Sequence, residues 1–411
     1  MQSSFTFELD GETIRATGEP VFRTLAHFLD GEGYGKERRF HRSDPWMGGS
    51  PLLLLDADTR SQTVLRSVDA GSIILPAVAG RQLWSAEGLV RSAERGEAHP
   101  AIELLGALPD LATSWQARAR VITALVEAWH RADLQHPAQL TDHFDGCLSR
   151  VVSYPALRDL AASILANTQK AGLDDPFSAL LAQEWPEREE FSYVDREKRR
   201  FYRPHTIVDL ARLLAQFPKA TLVGGSTGLA WSRPEAMVDW SCLISIDGVG
   251  DLRTVFDQTD KWAIGAAASL TSVTEALGDS CPVLAKAARR HATRAIRNRA
   301  TLGGGLASAR ADDPIAPALM AMDATVRAVS VDGEREIPVA RFFEGNGRTN
   351  LRPGEFVADV IVPKFTAAVL KSRGAALRMC DTYQAASRRT LTPDGLSAGF
   401  AVELDGNSRI T

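Results

Sequence analysis

Residues 297–317 read RNRATLGGGLASARADDPIAP. Three consecutive glycines, Gly303, Gly304 and Gly305, follow Thr301 and Leu302, and two aspartates come after a run of small residues. Glycine loses more conformational entropy on folding than any other residue, so three in a row imply a backbone that must approach something closely. A second stretch of the same character lies upstream, Leu222-Val223-Gly224-Gly225-Ser226-Thr227-Gly228-Leu229, at the end of a short apolar run. In both, glycine permits positive φ and lets successive N–H groups point at an anion, while Ser226, Thr227 and Thr301 add hydroxyls. Two such cradles separated by one α/β unit suit a ligand with two phosphates. The alternative for each is a tight turn with no ligand. Neither stretch is a GxGxxG or a GxxxxGK[ST], so the dinucleotide-fold and P-loop motifs are excluded.

Working outward, the 411 residues are too many for one ordinary core and predict two to four units. A hydrophobic content of 45%, a charged content of 24% and a formal net charge of −4 with mixed signs indicate a globular chain and argue against a nucleic-acid surface. The opening MQSSFTFELDGE has neither a basic region nor an apolar run of a signal peptide, and no stretch of about 18 apolar residues follows. Cys147, Cys242, Cys281 and Cys380 lie far apart without a CxxC, so neither a disulfide framework nor a metal knuckle is expected. The eight histidines show no HExxH or HxH, and no metal site is assigned. A reducing cytoplasm and no membrane association are the expectations.

Residues 5–16 alternate Phe5, Phe7 and Leu9 with polar partners around Asp10-Gly11, a hairpin signal. SPLLLLDADTRSQTVLRSV (50–68) repeats strand, turn and strand, ending near SIILPAVAG. From Pro100 apolar residues recur every three to four positions, in WQARARVITALVEAWHRA (115–132) and PALRDLAASILANTQ (155–169). The charged, proline-bearing 183–200 reads as a linker or, in part, a solvated helix. Thereafter the pattern is α/β. HTIVDLARLLAQFP is an amphipathic helix, ATLVGGSTGLAW a strand entering a glycine turn, and PVLAKAARRHATRAIRN (282–298) a helix. ATVRAVSVDGEREIPV is a hairpin around Asp332-Gly333, LRPGEFVADVIVPKF a strand, and the last stretch two strands around a loop.

Taken in order, FYRPHTIVDLARLLAQFPKATLVGGSTGLA, AIGAAASLTSV, IRNRATLGGGLASA and EFVADVIVPKF resemble the flavin-binding domain of the xanthine dehydrogenase–CO dehydrogenase (molybdenum hydroxylase) family, above all its xanthine dehydrogenase small subunits. The resemblance covers about 201–400 and reaches the N-terminal part through GRQLWSAEGL (80–89), His99-Pro100 and DGCLSRVVSYPALRDLA (145–161) with Tyr154. It implies an α+β multidomain chain. Its parts would be an N-terminal β-grasp ferredoxin-like domain (1–90), a small helical domain (91–175), a linker (176–200), an α/β FAD-binding domain of two subdomains (201–366), and the truncated start of a C-terminal flavoprotein domain (367–411). It implies FAD as cofactor, a molybdenum-cofactor large subunit as partner in a hetero-oligomer, and NAD or oxygen as electron acceptor.

Departures from the family pattern sharpen the expectation. The run that should hold the first iron–sulfur cluster, YGKERRFHRSDPWMGGSPLLLLD (34–56), has no cysteine. WQARAR, Ser149 and Val151 stand where the second cluster's ligands fall, and Cys147 matches a non-ligand position. A two-iron cluster needs four thiolates or two with two histidines, so both clusters are expected to be absent. The Leu52–Leu55 run and Trp46, Trp84 and Trp115 are candidates for apolar packing in their place, and plain core is the preferred reading of these residues. In the flavin site the resemblance implies contacts from Leu222 to Leu229 and from Thr301 to Gly305, with Gly228 at an acidic position and Gly305 at an asparagine position. A flavin-binding aspartate falls on Pro314, so that Asp312 or Asp313 would serve, or would instead cap the following helix. His291 matches an aromatic position, Gln384 a lysine, and Val357 an apolar contact. Arg294, Arg297 and Arg299 read either as a phosphate-favouring cluster or as a solvated helix end. Arg388-Arg389 match a seating motif. The function expected is an FAD-binding electron-transfer subunit without clusters of its own. The alternative is a non-catalytic scaffold paralogue.

Overall fold

The computed structural model describes residues 1–34, 49–94, 99–131, 133–134, 136–140, 143–168, 175–186, 189–230, 240–385 and 396–410. Trp46, most of the 34–56 run and Arg388-Arg389 lie outside them.

Strands β1 (Ser4–Leu9) and β2 (Glu12–Thr17) form the expected hairpin, with Asp10 and Gly11 both at positive φ in its two-residue turn. Helix α1 (Leu25–Gly31) is capped by the Thr24 hydroxyl, which accepts the His27 N–H. With β3 (Pro51–Ala57), β4 (Thr63–Asp69) and β5 (Gln82–Ser85) the sheet order is β2-β1-β5-β3-β4, and the central β1–β5 pair is parallel. The SIILPAVAG segment forms short 3₁₀ turns between β4 and β5.

The leucine run of β3 is explained by burial on both faces. Leu52 and Leu54 point into the core under α1, whereas Leu53 joins Leu65, Trp84 and Trp115 against helix α2 (Trp115–Trp129). The opposite side of α2 packs Val121, Leu125 and Ala128 on Leu157, Leu160 and Ile164 of α3 (Tyr154–Thr168). A helix lodged between a sheet and another helix must be apolar nearly all round, as α2 is.

The expected linker is instead partly sheet. Residues Phe191–Val194 (β6) and Arg200–Arg203 (β7) make an antiparallel hairpin. Charge dominates this segment's composition, but Phe191, Tyr193 and Phe201 alternate inward and join Phe5 in the N-terminal core. Gln2 bonds to Ser192 and Val194 through the backbone, at 3.0 and 2.9 Å, which ties the first unit to the next. Sheet order β6-β7-β9-β8 is completed by β8 (Thr221–Val223) and β9 (Cys242–Ser245), with helix α4 (Ile207–Gln216) between β7 and β8 in sequence.

The following unit is an antiparallel sheet. Its strands are β10 (Val255–Asp257), β11 (Lys261–Gly265), β12 (Thr325–Ser330), β13 (Gly333–Pro338) and β16 (Phe356–Pro363), in the order β10-β11-β16-β12-β13. A small hairpin, β14 (Phe343–Gly345) with β15 (Arg348–Thr349), stands apart. Helices α5 (Leu270–Leu277), α6 (Pro282–Arg289), α7 (Arg294–Arg297), α8 (Leu302–Ala307) and α9 (Ile315–Ala321) share its core. The single helix expected over 282–298 is two: Ala292 takes φ +49 and Thr293 is extended ahead of α7. Strands β17 (Leu377–Ala385) and β18 (Leu396–Leu404) form a nine-pair hairpin. Among the described residues no helix is long and apolar enough to cross a membrane.

Candidate functional site

The two glycine stretches approach each other. A Cβ on Gly225 would fall on the Arg299 carbonyl, and one on Gly224 would press on the Thr301 hydroxyl. Gly303 lies against Ala266, where a Cβ would meet both side chain and backbone. Close approach of a neighbouring backbone or side chain therefore explains Gly224, Gly225 and Gly303 before any ligand is considered. Gly228 has open space where its Cβ would be.

The turns differ in what their donors do. Leu302 N–H donates to the Ala268 carbonyl, Gly303 N–H to that of Ala266, Gly304 N–H to the Thr301 hydroxyl and Gly305 N–H to the Thr301 carbonyl. The second stretch thus spends internally the donors expected to face a ligand. Around Gly224–Thr227, by contrast, no hydrogen bond engages these N–H groups among the described residues. Ser226 has φ +70, is buried, and its hydroxyl has no hydrogen-bond partner among the described residues.

Beside the turns three carboxylates, Asp56, Asp58 and Asp247, stand with three guanidinium groups, Arg66, Arg253 and Arg299. The cleft is lined by Gly224, Gly225, Thr301, Asp56, Arg253 and Arg299, among others. Asp56 pairs with Arg253 at 2.8 Å, Arg81 at 3.4 Å and Arg299 at 3.5 Å, and Asp247 pairs with the same three arginines. The buried Nε atoms of Arg203 and Arg299 lack hydrogen-bond partners among the described residues. Arg203 is pushed down to about 10 by burial first and then by repulsion from Arg81.

Arg294 and Arg297 correct both expectations made for them, since they are neither solvated nor directed at the glycine turns. Arg294 bonds Glu127 at 2.9 Å and Glu275 at 2.6 Å, and Arg297 bonds Asp145 at 2.6 Å. Arg66 grips Glu275 with both guanidinium nitrogens, at 2.9 and 2.6 Å. Glu127 also accepts the Ser67 N–H and the Asn298 amide. This junction joins β4, α2 and the helices beside the second glycine stretch. Although burial opposes its ionisation, the surrounding Arg66, Arg294 and Arg131 hold the Glu275 carboxyl well below its ordinary range.

Of the remaining expected contacts, His291, Gly305 and Asp313 come together. A Cβ on Gly305 would approach the Asp313 carboxylate; Asp313 is buried, His291 is half-buried, and the two interact. Asp313 also caps α9, accepting the Ile315 N–H at 2.8 Å, while Asp312 grips Arg310. Val357 is buried in β16, and the Gln384 side-chain oxygen in β17 is buried without a hydrogen-bond partner among the described residues. None of His291, Asp312, Asp313, Val357 or Gln384 lines the cleft between the turns. Trp84 and Trp115 pack in the core, and Cys147, with its thiol pushed up by burial, does likewise.

Elsewhere the fold gathers His99, His130 and Asp175. Separations of 31 and 45 residues carry no motif, so a spacing search could not have found them.

An α/β segment whose first glycine turn keeps its donors unengaged among the described residues, beside Arg253 and Arg299, offers groups suited to an anionic ligand. Residues 194–365 match the model of the FAD binding domain in molybdopterin dehydrogenase. The chain is similar to aldehyde oxidase 4 of Cavia porcellus, 31% identical over 179 residues, covering 41% of this chain and 13% of that protein. It is also similar to the nicotinate dehydrogenase FAD-subunit of Eubacterium barkeri, 27% identical over 218 residues, covering 50% of this chain and 69% of that one. Quinoline 2-oxidoreductase from Pseudomonas putida 86 aligns in structure with a TM-score of 0.41 at 25% identity, covering 46% of this chain and 63% of that chain. The chain spans about a seventh of the length of the aldehyde oxidase and xanthine dehydrogenase relatives it matches, between 13 and 16%.

Proposed function

We propose that this chain is the FAD-binding, electron-transferring component of a molybdenum-hydroxylase-type oxidoreductase, working beside a partner that carries the molybdenum cofactor. The observation that carries this reading is the Gly224–Thr227 turn, whose N–H groups and Ser226 hydroxyl have no hydrogen-bond partner among the described residues and which lies beside Arg253 and Arg299. These residues fit an FAD pyrophosphate. Gly224, Gly225, Ser226 and Thr227 would donate to its oxygens, and Arg253 and Arg299 would balance its charge. The second stretch would act mainly as a floor, because its N–H groups are already bonded within the protein. Gly228 leaves room for ligand, and His291, Asp313 and Gln384 would shape the far side of the site.

Bound FAD would supply two-electron and one-electron chemistry, and the chain's own part is to hold and orient it. Two features support the view that no iron–sulfur cluster resides here. The chain has four cysteines, and three of them are buried singly in different places, Cys147 in the helical unit, Cys242 in β9 and Cys281 ahead of α6. We read the N-terminal sheet with its parallel β1–β5 pair as a β-grasp unit, and residues 100–168 as the helical unit that follows it. Electrons would then reach the flavin from a cluster on another chain.

The test is a visible spectrum of the purified chain, followed by denaturation, identification of released flavin and iron analysis. One FAD and no iron per chain is the expected result. A protein that stays colourless with added FAD would overturn the reading in favour of a scaffold without redox work.

A further inference from the structure

We infer that His99, His130 and Asp175 form a binding site for a divalent transition-metal cation of the zinc class, a site separate from the flavin domain. His99 precedes the short helix Pro100–Glu103, His130 ends α2, and Asp175 precedes the short helix Ser178–Leu181. Three separate pieces of the helical unit therefore converge on one point.

The geometry is that of ligands around a missing centre. The two Nε2 atoms are 3.0 Å apart, and Asp175 Oδ1 lies 3.4 Å from that of His130 and 3.9 Å from that of His99. A point equidistant from the three atoms lies about 2.0 Å from each, which is the bond length zinc makes to imidazole nitrogen and carboxylate oxygen. All three side chains are at most 6% exposed. Trp129 and Phe177 pack edge-on or tilted against the imidazole rings, so the polar cluster sits within an apolar wall.

Charge points the same way. Asp175 has no arginine or lysine partner among the described residues; its only ion-pair partners there are the two histidines. Its Oδ2 is buried without a hydrogen-bond partner among the described residues, and Oδ1 accepts only the Phe177 N–H at 2.8 Å. Among the described residues, this buried carboxylate facing two neutral rings has no compensating charge, which is costly to keep. A divalent cation compensates the carboxylate and takes both Nε2 lone pairs. The hydrogen-bonded alternative is specific too. The Ala101 N–H donates to His99 Nδ1 at 3.2 Å, which places the His99 proton on Nε2, directed at His130. Metal binding displaces that proton, moves the His99 ring proton to Nδ1 and takes away the acceptor of the Ala101 N–H. Three protein ligands leave a position for water.

The cation's role follows from where its ligands sit. It clasps the start, middle and end of a small helical unit whose core is one modest cluster.

The experiment uses the full chain, stripped with a chelator and titrated with zinc chloride against a chromophoric competitor, then loaded with cobalt(II) for its visible spectrum. One zinc per chain is expected, with intense cobalt bands of a four-coordinate site. His130→Asn and Asp175→Asn are each expected to weaken zinc at least about tenfold, while His136→Asn outside the cluster leaves it unchanged. X-ray absorption of the zinc-loaded wild type counts two imidazoles and one carboxylate without relying on any variant. No stoichiometric zinc, or zinc that the His130→Asn/Asp175→Asn double variant retains, would overturn the inference and leave a hydrogen-bonded histidine pair. Flavin content is measured on the same samples, so a colourless but zinc-loaded chain would sink the flavin reading alone.

Discussion

The two glycine turns look alike in sequence and do opposite things with their backbones. Around Gly303 every N–H from Leu302 to Gly305 is bonded within the protein, and glycine is there to let α8 press against Ala266. Around Gly224 the glycines also fit against a neighbour, yet the N–H groups from Gly224 to Thr227 make no bond among the described residues. Glycine richness therefore reports close approach in both cases, while the hydrogen bonds of the two turns differ. What separates them is where the hydrogen bonds go.

The largest effect is expected where both turns are equally intolerant. Gly225→Ala and Gly303→Ala each drive a Cβ into backbone or a packed side chain, and each is expected to cost about 3 kcal/mol or more, read as a drop in thermal midpoint. A Gly225→Ala protein that melts like wild type would break the claim that the turns are in contact. Next, Thr301→Ala removes the hydroxyl that caps α8 and is expected to cost about 1 kcal/mol of stability, measured by denaturant unfolding of the flavin-free chain.

Ser226→Ala is expected to separate the turns. It removes a buried hydroxyl that has no hydrogen-bond partner among the described residues, so the flavin-free chain should lose nothing, while FAD affinity falls about tenfold by titration. Equal losses for Thr301→Ala and Ser226→Ala in the absence of flavin would erase the distinction.

The smallest effect is a pH dependence at the second turn. Burial holds His291 below its ordinary value, so the folded chain binds fewer protons there than the unfolded chain does. The stability this histidine contributes is complete above its unfolded value of about 6.5 and is lost as pH falls toward the depressed folded value. His291→Asn should flatten that part of the stability–pH curve, measured as the difference from wild type between neutral and mildly acidic pH.

Much of the fold was legible where one local signal decided an element. Asp10-Gly11 predicted its hairpin, and the periodicity of 115–132 predicted α2. Where tertiary packing overrode composition, the sequence misled. The charged 183–200 segment hid β6 because Phe191 and Tyr193 are two inward residues among many charges. The break at Ala292 had no glycine or proline to announce it. In the site, the glycines were legible but the use of their N–H groups was not, since that depends on strands far away in the chain. Arg294, Arg297 and Arg299 looked like one basic patch and are three separate fastenings to Glu127, Asp145 and Asp56.

Those fastenings bear on how the molecule can be divided. A fragment starting near residue 201 would carry Arg294 and Glu275 away from Glu127 and Arg66, and would bare Val223 and Leu243, which belong to the N-terminal core. Breaking one such buried pair typically costs about 3 to 5 kcal/mol, comparable to the whole stability of a small domain. The flavin segment is thus a recognisable stretch of sequence without being an independent folding unit, and dissection experiments should keep the first two hundred residues attached.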